Sequence, residues 1–109
     1  MQPGLGEFEQ IVLLAILRLG DEAYAVPIRD EIARCADREP TAGALYTTLD
    51  RLEEKGLVSV RLGDPTPQRG GRAKRYFTVT PKGVRAVARV QRCYKRLLDG
   101  IVLPGVSNA

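Results

Sequence analysis

The stretch TAGALYTTLDRLEEKGLVSVRLGDPTPQRGGRAKRYFTVT, residues 41–80, decides the fold of this chain. Its first part places Leu45, Leu49 and Leu52 on one side of a predicted helix, for which Thr41 is a good N-cap. The runs VSVRL and RYFTVT alternate apolar and polar residues, as β-strands do. The loop between them is basic, rich in Gly and Pro, and too long for a tight hairpin turn. A helix followed by a two-stranded ribbon with a cationic tip is typical of a surface that binds a polyanion.

Charge is divided unevenly along the 109 residues. Residues 1–56 carry 6 basic and 11 acidic side chains, a net charge of −5, whereas residues 57–109 carry 11 basic and 2 acidic side chains, a net charge of +9. This asymmetry predicts that the second half meets a polyanion, with double-stranded DNA as the leading partner. The basic side chains in or beside the loop are Arg61, Arg69, Arg72, Lys74 and Arg75.

Composition excludes several classes of function. The chain has no His and no nucleophile motif, so it is not expected to be an enzyme or to bind a cofactor. Cys35 and Cys93 lack zinc-site spacing, and each is expected to pack as a small apolar residue; a redox switch is the alternative. The apolar run IVLLAILRL is about half the length that crosses a bilayer, and the N-terminus lacks a signal-peptide pattern. These features predict a cytoplasmic protein without membrane contact.

Hydrophobic periodicity predicts a mainly α protein with a small β-ribbon. The predicted helices cover residues 7–19, 26–36, 41–56 and 81–99. On the second helix, Ile28, Ile32 and Cys35 form the expected inward side. Thr80 and Pro81 are typical of a helix start, and residues 1–6 are expected to be a loosely tethered arm.

The second and third helices, joined by a short turn, form a predicted helix-turn-helix unit. In such a unit the later helix enters the major groove with its N-terminal residues at the base edges. Thr41, Ala42 and Gly43 are small enough for close approach, and Tyr46 and Thr47 offer hydroxyl groups one turn later. The alternative is a plain three-helix core with a small, polar exposed side. The basic ribbon that follows favours DNA binding.

Two helices carry more apolar surface than a single small domain is expected to cover. The first helix is apolar nearly all round, and the last helix repeats apolar residues at intervals of 3 and 4. We therefore assign both to contact with a second copy, although part of the last helix is also expected to pack on the first. Its basic side is interpreted as a solvated surface. The predicted interface residues are Phe8, Ile11, Val12, Ala15, Val84, Val87, Gln91, Tyr94, Leu98 and Ile101.

The chain closely resembles the PadR family of winged-helix transcriptional regulators. The segments that carry the resemblance are GEFEQIVLLAILRLG, AYAVPIRDEI, GALYTTLDRLEEKGLV and GGRAKRYFTVTPKG, and the last two are the most specific. The resemblance implies a homodimer built by the first and last helices, a third helix that reads the major groove, and a wing that touches the flanking backbone. With Arg51 and Arg69 added from the charge pattern, the predicted DNA-binding residues are Thr41, Ala42, Gly43, Ala44, Tyr46, Thr47, Arg51, Arg69, Arg72, Lys74 and Tyr76.

The chain also departs from the family pattern. Ala25 and Val26 stand where members often have Gly-Tyr, Thr47 stands where Pro is common, and the wing insertion GDPTPQR is longer than many. Some relatives bind flat aromatic small-molecule effectors by stacking on a Trp. This chain has no Trp, so a small-molecule effector stays an open alternative that no residue supports.

The sequence thus predicts a homodimeric repressor that binds a pseudo-palindromic operator. The alternative is a winged-helix protein–protein adaptor with only non-specific DNA affinity. The predicted organisation is a winged helix-turn-helix domain at residues 1–80, a dimerisation helix at 81–103 and a flexible tail at 104–109.

Overall fold

Helices and one two-stranded antiparallel sheet make up the fold, which a computed structural model of the chain describes for residues 4–63 and 74–105. The elements in chain order are α1 (Glu7–Leu19), a 3₁₀ turn (Gly20–Glu22), α2 (Ala25–Ala36), α3 (Ala42–Glu54), β1 (Val58–Leu62), β2 (Arg75–Val79) and α4 (Pro81–Leu98). The mainly helical class and the order of elements predicted from the sequence are confirmed. None of these helices combines the length and apolar character needed to span a membrane.

The predicted caps begin two of the helices. The Thr41 hydroxyl accepts a hydrogen bond from the Ala44 N–H at 3.0 Å, and the Thr80 hydroxyl accepts one from the Gly83 N–H at 3.1 Å. The segment after α3 turns away at Gly56, whose φ of +76° is a left-handed conformation that glycine adopts without strain. These local signals explain why helix bounds could be read from the sequence.

Helix α1 lies at the centre and contacts α2, α3, β2 and α4. Its buried side chains pack with three leucines of α3, which confirms the predicted inward side of that helix. The main buried core residues are Val12, Leu13, Ile16, Ile28, Ile32, Leu45, Leu49, Leu52 and Phe77.

The ribbon is buried in the core at one end and exposed at the other. Val58 pairs with Val79 and both are buried, whereas Leu62 pairs with Arg75 and is 69% exposed. Although the alternation of apolar residues places Leu62 on the same side of β1 as Val58, Leu62 is exposed because β1 has passed the edge of the domain at that point. The connecting loop, with Arg69 and Arg72, lies outside the described residues.

The start of α1 is tied down more firmly than expected. Leu5 packs against the core, and the Gly6 N–H donates to Glu9 at 2.8 Å. The other Glu9 carboxylate oxygen accepts from the Lys55 ammonium at 2.8 Å, which joins α1 to the end of α3. Burial raises the pKa of Glu9, but the hydrogen bonds from Lys55 and Gly6 outweigh it and hold the pKa below its usual range. The expected loose arm is thus wrong for Leu5 and Gly6.

Both cysteines are exposed, so the expectation that they pack as buried apolar residues was wrong. Cys35 lies in the last turn of α2, where it borders a groove beside Leu14 and Arg18 of α1 and is no longer covered. Its thiol lies 3.5 Å from the Glu31 carboxylate. Cys93 lies on α4.

Helix α4 extends beyond the rest of the fold. Gly83 and Val87 are buried in its first half, whereas every residue from 91 to 105 is exposed. The radius of gyration is 16.0 Å, compared with about 13 Å for a compact domain of this length. The protruding half of α4 accounts for an elongated molecule.

Candidate nucleic-acid interface

The first turn of α3 presents a small, exposed surface. Ala42, Gly43 and Ala44 are all exposed, and nothing lies within 4 Å of the position that a Cβ atom would occupy at Gly43. The Thr41 cap accepts the Ala44 N–H, which leaves the other N–H groups of this turn directed outward at the helix N-terminus. A helix end of this kind can approach a phosphate or a base edge closely.

One turn later, Tyr46 and Thr47 are exposed on the same helix, Tyr46 by 48%. The opposite side of α3 is fixed in the core by its leucines and by Thr48. The hydroxyl groups of Tyr46 and Thr47 are therefore held on a rigid element, which favours defined hydrogen bonding to a groove. We call the exposed residues Ala42, Gly43, Ala44, Tyr46 and Thr47 the reading surface.

Arg51 lies on the flank of α3 that faces the start of α1. Its charge helps to lower the pKa of the Glu9 carboxylate, although it makes no salt bridge with Glu9. Arg51 remains exposed, so its guanidinium is accessible beside the reading surface.

The second half of α3 is acidic, and the ribbon neutralises part of it. The Arg75 guanidinium lies 3.4 Å from the Glu53 carboxylate and 3.7 Å from the Asp50 carboxylate. Both acids are exposed, so each pair is worth less than about 1 kcal/mol on its own. The arrangement nevertheless places a cation between the acidic end of α3 and the ribbon, which lowers the repulsion that these acids would exert on phosphates. The sequence had counted Arg75 among the cations of the ribbon without this pairing.

A cluster of two tyrosines and two cations lies where the ribbon leaves the domain, and we call it the wing-root cluster (Tyr24, Arg61, Lys74, Tyr76). The rings of Tyr24 and Tyr76 meet edge to face with centroids 5.4 Å apart. The Lys74 ammonium lies 4.3 Å from the centre of the Tyr24 ring, and the Arg61 guanidinium lies 4.4 Å from that of Tyr76. Both distances are typical of cation–π contacts.

The two described wing residues that were predicted to bind DNA therefore differ in their exposure. Lys74 is exposed and rests on Tyr24, whereas Tyr76 is half-buried within the wing-root cluster. Tyr24 was not predicted from the sequence. Tyr24 is an aromatic residue in the polar turn GDEAYA, but no pattern linked it to β2, which begins at Arg75.

Three residues predicted for a dimer interface lie in the core of the chain itself. Val12, Ala15 and Val87 are 0%, 4% and 8% exposed, respectively, because α1 is central and the first half of α4 packs on the domain. They have almost no surface to offer a partner, and we withdraw their assignment. Phe8 and Ile11 are half-buried. The remaining predicted residues, which are exposed, are Val84, Gln91, Tyr94, Leu98 and Ile101.

In chemical terms the site offers hydrogen-bond donors, hydroxyl groups and cations. Among the side chains that the structure describes, no group of three or more could hold a metal ion. A capped helix with a small exposed N-terminal turn, beside a cationic two-stranded wing, defines the class of winged helix-turn-helix DNA-binding proteins.

A protein-family model matches most of the chain. The model of the transcriptional regulator PadR-like family matches residues 13–89, which include the reading surface and the wing-root cluster. The chain therefore belongs to this family of DNA-binding transcription regulators, and the resemblance inferred from the sequence is confirmed. The sequence predicted a DNA-binding regulator rather than an enzyme, and the family assignment confirms this prediction.

Solved structures share this fold. A PadR-like transcription factor from Bacteroides fragilis is 26% identical, with a TM-score of 0.67 and a match that covers 84% of each chain. A PadR family transcriptional regulator from Eggerthella lenta is 25% identical, with a TM-score of 0.64 over 86% of this chain and 81% of that one. A protein from Streptococcus mutans shares the fold over the whole of both chains, at 23% identity and a TM-score of 0.64. Among curated proteins, none matches this chain.

Proposed function

We propose that the chain is a homodimeric repressor that binds a pseudo-palindromic operator and blocks transcription by occupying the promoter. The observation that carries this proposal is the exposed reading surface on a capped, rigidly packed α3, with the ribbon directly beside it. The family assignment supports DNA binding. Dimerisation, repression and the contacts described below are parts of the proposal.

The proposed recognition places the reading surface in the major groove. The small residues Ala42, Gly43 and Ala44 let the helix backbone approach, and Tyr46 and Thr47 contact base edges or phosphates. Thr41 serves as the cap that orients this turn. The cations Arg51, Arg69, Arg72 and Lys74 supply sequence-independent attraction to the backbone, so affinity falls steeply with salt.

Dimerisation is supported by the exposed apolar side chains of α4. Tyr94 and Leu97 are 58% and 67% exposed, and Leu98 is exposed beside them. An exposed half-helix is only marginally stable in water, so a partner that covers this side also stabilises the helix. Leu14 and Leu17 of α1 are exposed as well, so α1 also offers apolar side chains that a partner would cover. A second copy of the chain is the proposed partner.

A two-fold dimer carries two reading helices, so it recognises two half-sites about one helical turn, or about 34 Å, apart. The proposed operator is therefore a pseudo-palindrome. A dimer bound across a promoter excludes the polymerase from the same DNA, which gives repression without further contacts.

The test uses the full chain and the DNA upstream of its own coding region, with a scrambled duplex of equal length as competitor. Titration followed by fluorescence anisotropy, together with footprinting, should show specific binding to a pseudo-palindrome. Tyr46→Ala should lower specific affinity by about 1–3 kcal/mol, the range for one base-reading side chain. Tyr46→Phe is the matched control, because it removes only the hydroxyl and so separates hydrogen bonding from ring contact.

Two results would contradict the proposal. Equal affinity for the operator and the scrambled duplex indicates the protein–protein adaptor with only non-specific DNA affinity. Specific binding that survives Tyr46→Ala unchanged shows that the reading surface has been assigned to the wrong residues.

A further inference from the structure

We propose that Tyr24 is a positioning residue for DNA binding, which holds the wing at a fixed angle to the helix-turn-helix unit and presents its root cations to phosphates. This inference rests on the proposed function. Tyr24 stands outside the reading surface and outside the wing, at the N-cap of α2. Its effect on DNA is therefore expected through the groups that it touches.

The side-chain contacts form a continuous stack across the root of the wing. Lys74 lies over one tyrosine ring, the two rings meet at an interplanar angle of 68°, and Arg61 lies over the other ring. Edge-to-face contact between rings and a cation over a ring face are both favourable arrangements. The stack thus joins both strands of the ribbon to the residue that begins α2.

Backbone contacts join the same two parts of the molecule. The Phe77 N–H donates to the Ala23 carbonyl at 2.8 Å, and the Arg61 guanidinium donates to the Asp21 carbonyl at 3.2 Å. The Tyr24 carbonyl in turn accepts the Ile28 N–H within the first turn of α2. The short segment from residue 21 to residue 24 is therefore shared between the ribbon and the helix-turn-helix unit.

Gly63 shows how closely the stack is packed. A Cβ atom at this position would lie 2.6 Å from Cε2 of Tyr76, closer than side-chain atoms approach. The Gly63 N–H also donates to the Lys74 carbonyl at 2.8 Å. A side chain at this position would require the Tyr76 ring to shift, because that ring covers the backbone at Gly63.

An isolated two-stranded ribbon is marginally stable, so its direction must be set by contacts at its root. The stack fixes that direction and restricts Arg61 and Lys74 before DNA arrives. Ordering two long side chains on binding would otherwise reduce affinity by about tenfold. Because this effect concerns the flanking backbone, it should leave the reading of the half-sites by α3 unchanged.

The experiment compares Tyr24→Leu with Tyr24→Phe in the full chain, on the operator defined by the wild type. Tyr24→Phe keeps the ring and should behave as the wild type does. Tyr24→Leu keeps apolar bulk but removes the ring, and it should lower operator affinity about tenfold. Its salt slope should fall by about 1–2, as expected when one or two phosphate contacts are lost. Hydroxyl-radical protection should weaken at the flanks and persist within the half-sites.

A second variant covers the case in which Tyr24→Leu does not fold. Gly63→Ala displaces the Tyr76 ring from the other side of the stack and should give the same loss at the flanks. The inference is wrong if a folded Tyr24→Leu or Gly63→Ala protein keeps wild-type flank protection and salt slope. It is also wrong if Tyr24→Phe loses affinity, because the hydroxyl would then contact DNA directly. Failure of the proposed function looks different, since the wild type itself would protect no half-site.

Discussion

Gly83 lies where three elements meet, in the first turn of α4. A Cβ atom there would lie 2.2 Å from the Leu57 carbonyl oxygen and 2.7 Å from Cγ1 of Val79. The helix therefore presses on the backbone between α3 and β1 and on the side chain that ends β2. A backbone oxygen cannot move aside as a flexible side chain can, so this contact requires glycine.

Gly83→Ala is expected to destabilise the chain by about 3 kcal/mol, the upper end for overpacking. Urea unfolding followed by circular dichroism measures the change in free energy. Gly43→Ala is the matched control, because the same methyl group meets open space within α3. It should raise stability by about 0.5 kcal/mol through the lower entropy of the unfolded chain. Equal stability of the two variants would show that α4 does not pack as described.

At the scale of residues, the sequence predicted buried side chains correctly where apolar residues recur along a helix at intervals of 3 and 4. Leu45, Leu49 and Leu52 are buried as predicted. The same reasoning failed for Cys35, because spacing gives the direction of a side chain and does not show where the neighbouring helix stops covering it. It failed for Val12 and Ala15 in the opposite sense, because an apolar helix does not reveal which side the chain itself will cover.

At the scale of elements, one carboxylate joins α1 to α2. A single oxygen of Glu31 accepts hydrogen bonds from Arg18 of α1 and Arg34 of its own helix, both at 2.6 Å. The hydrogen bond from Arg18, followed by that from Arg34, lowers the pKa of Glu31 to about 2 from 4.5. A carboxylate whose pKa is lower in the folded state than in the unfolded state stabilises the fold above about pH 4.5. That contribution is lost as the pH falls from 4.5 toward 2.

Acidification tests this link. The wild type is expected to lose stability between pH 6 and pH 3, and Glu31→Gln should lose less because it has already lost the titrating group. Urea midpoints at the two pH values give the comparison. Glu22→Gln serves as the control, since Glu22 is exposed and forms no salt bridge within the described residues. If the pH dependence of Glu31→Gln equals that of the control, the two arginines do not perturb Glu31.

Elements were easier to predict from sequence than the contacts between them. The capping residues Thr41 and Thr80 mark helix starts locally, so α3 and α4 begin where predicted. The pairing of Arg75 with Asp50 and Glu53 and the contact of Tyr24 with Tyr76 depend on how the ribbon folds back on the helices. No periodicity in a single chain encodes that geometry, so Tyr24 and the contacts within the wing-root cluster were missed.

At the scale of the whole molecule, the protruding half of α4 is the dominant feature. It carries apolar residues on one side and cations on the other, and the residues of both sides are exposed. The basic side is favourably solvated, whereas the apolar side is more stable when it is buried against another surface. A partner that covers only the apolar side would bury the apolar residues and leave the cations in water.

Leu97→Gln should therefore weaken the proposed dimer, whereas Arg92→Gln should not. The two positions lie on opposite sides of the exposed half of α4 and receive the same new side chain. Loss of a buried leucine from each copy should raise the dimer dissociation constant at least about tenfold. Sedimentation equilibrium measures it. Identical dissociation constants for both variants would exclude the apolar side of α4 as the interface.

The exposed thiols have a practical consequence. Cys35 and Cys93 are the only two cysteines, so a nitroxide or fluorescent label reacts at one position near the end of α2 and at one position on α4. Replacing either cysteine with Ser leaves a single attachment point on an otherwise natural chain. Distances between labels on the two copies of the proposed dimer would then report the angle of the long helix in solution, with and without an oligonucleotide present.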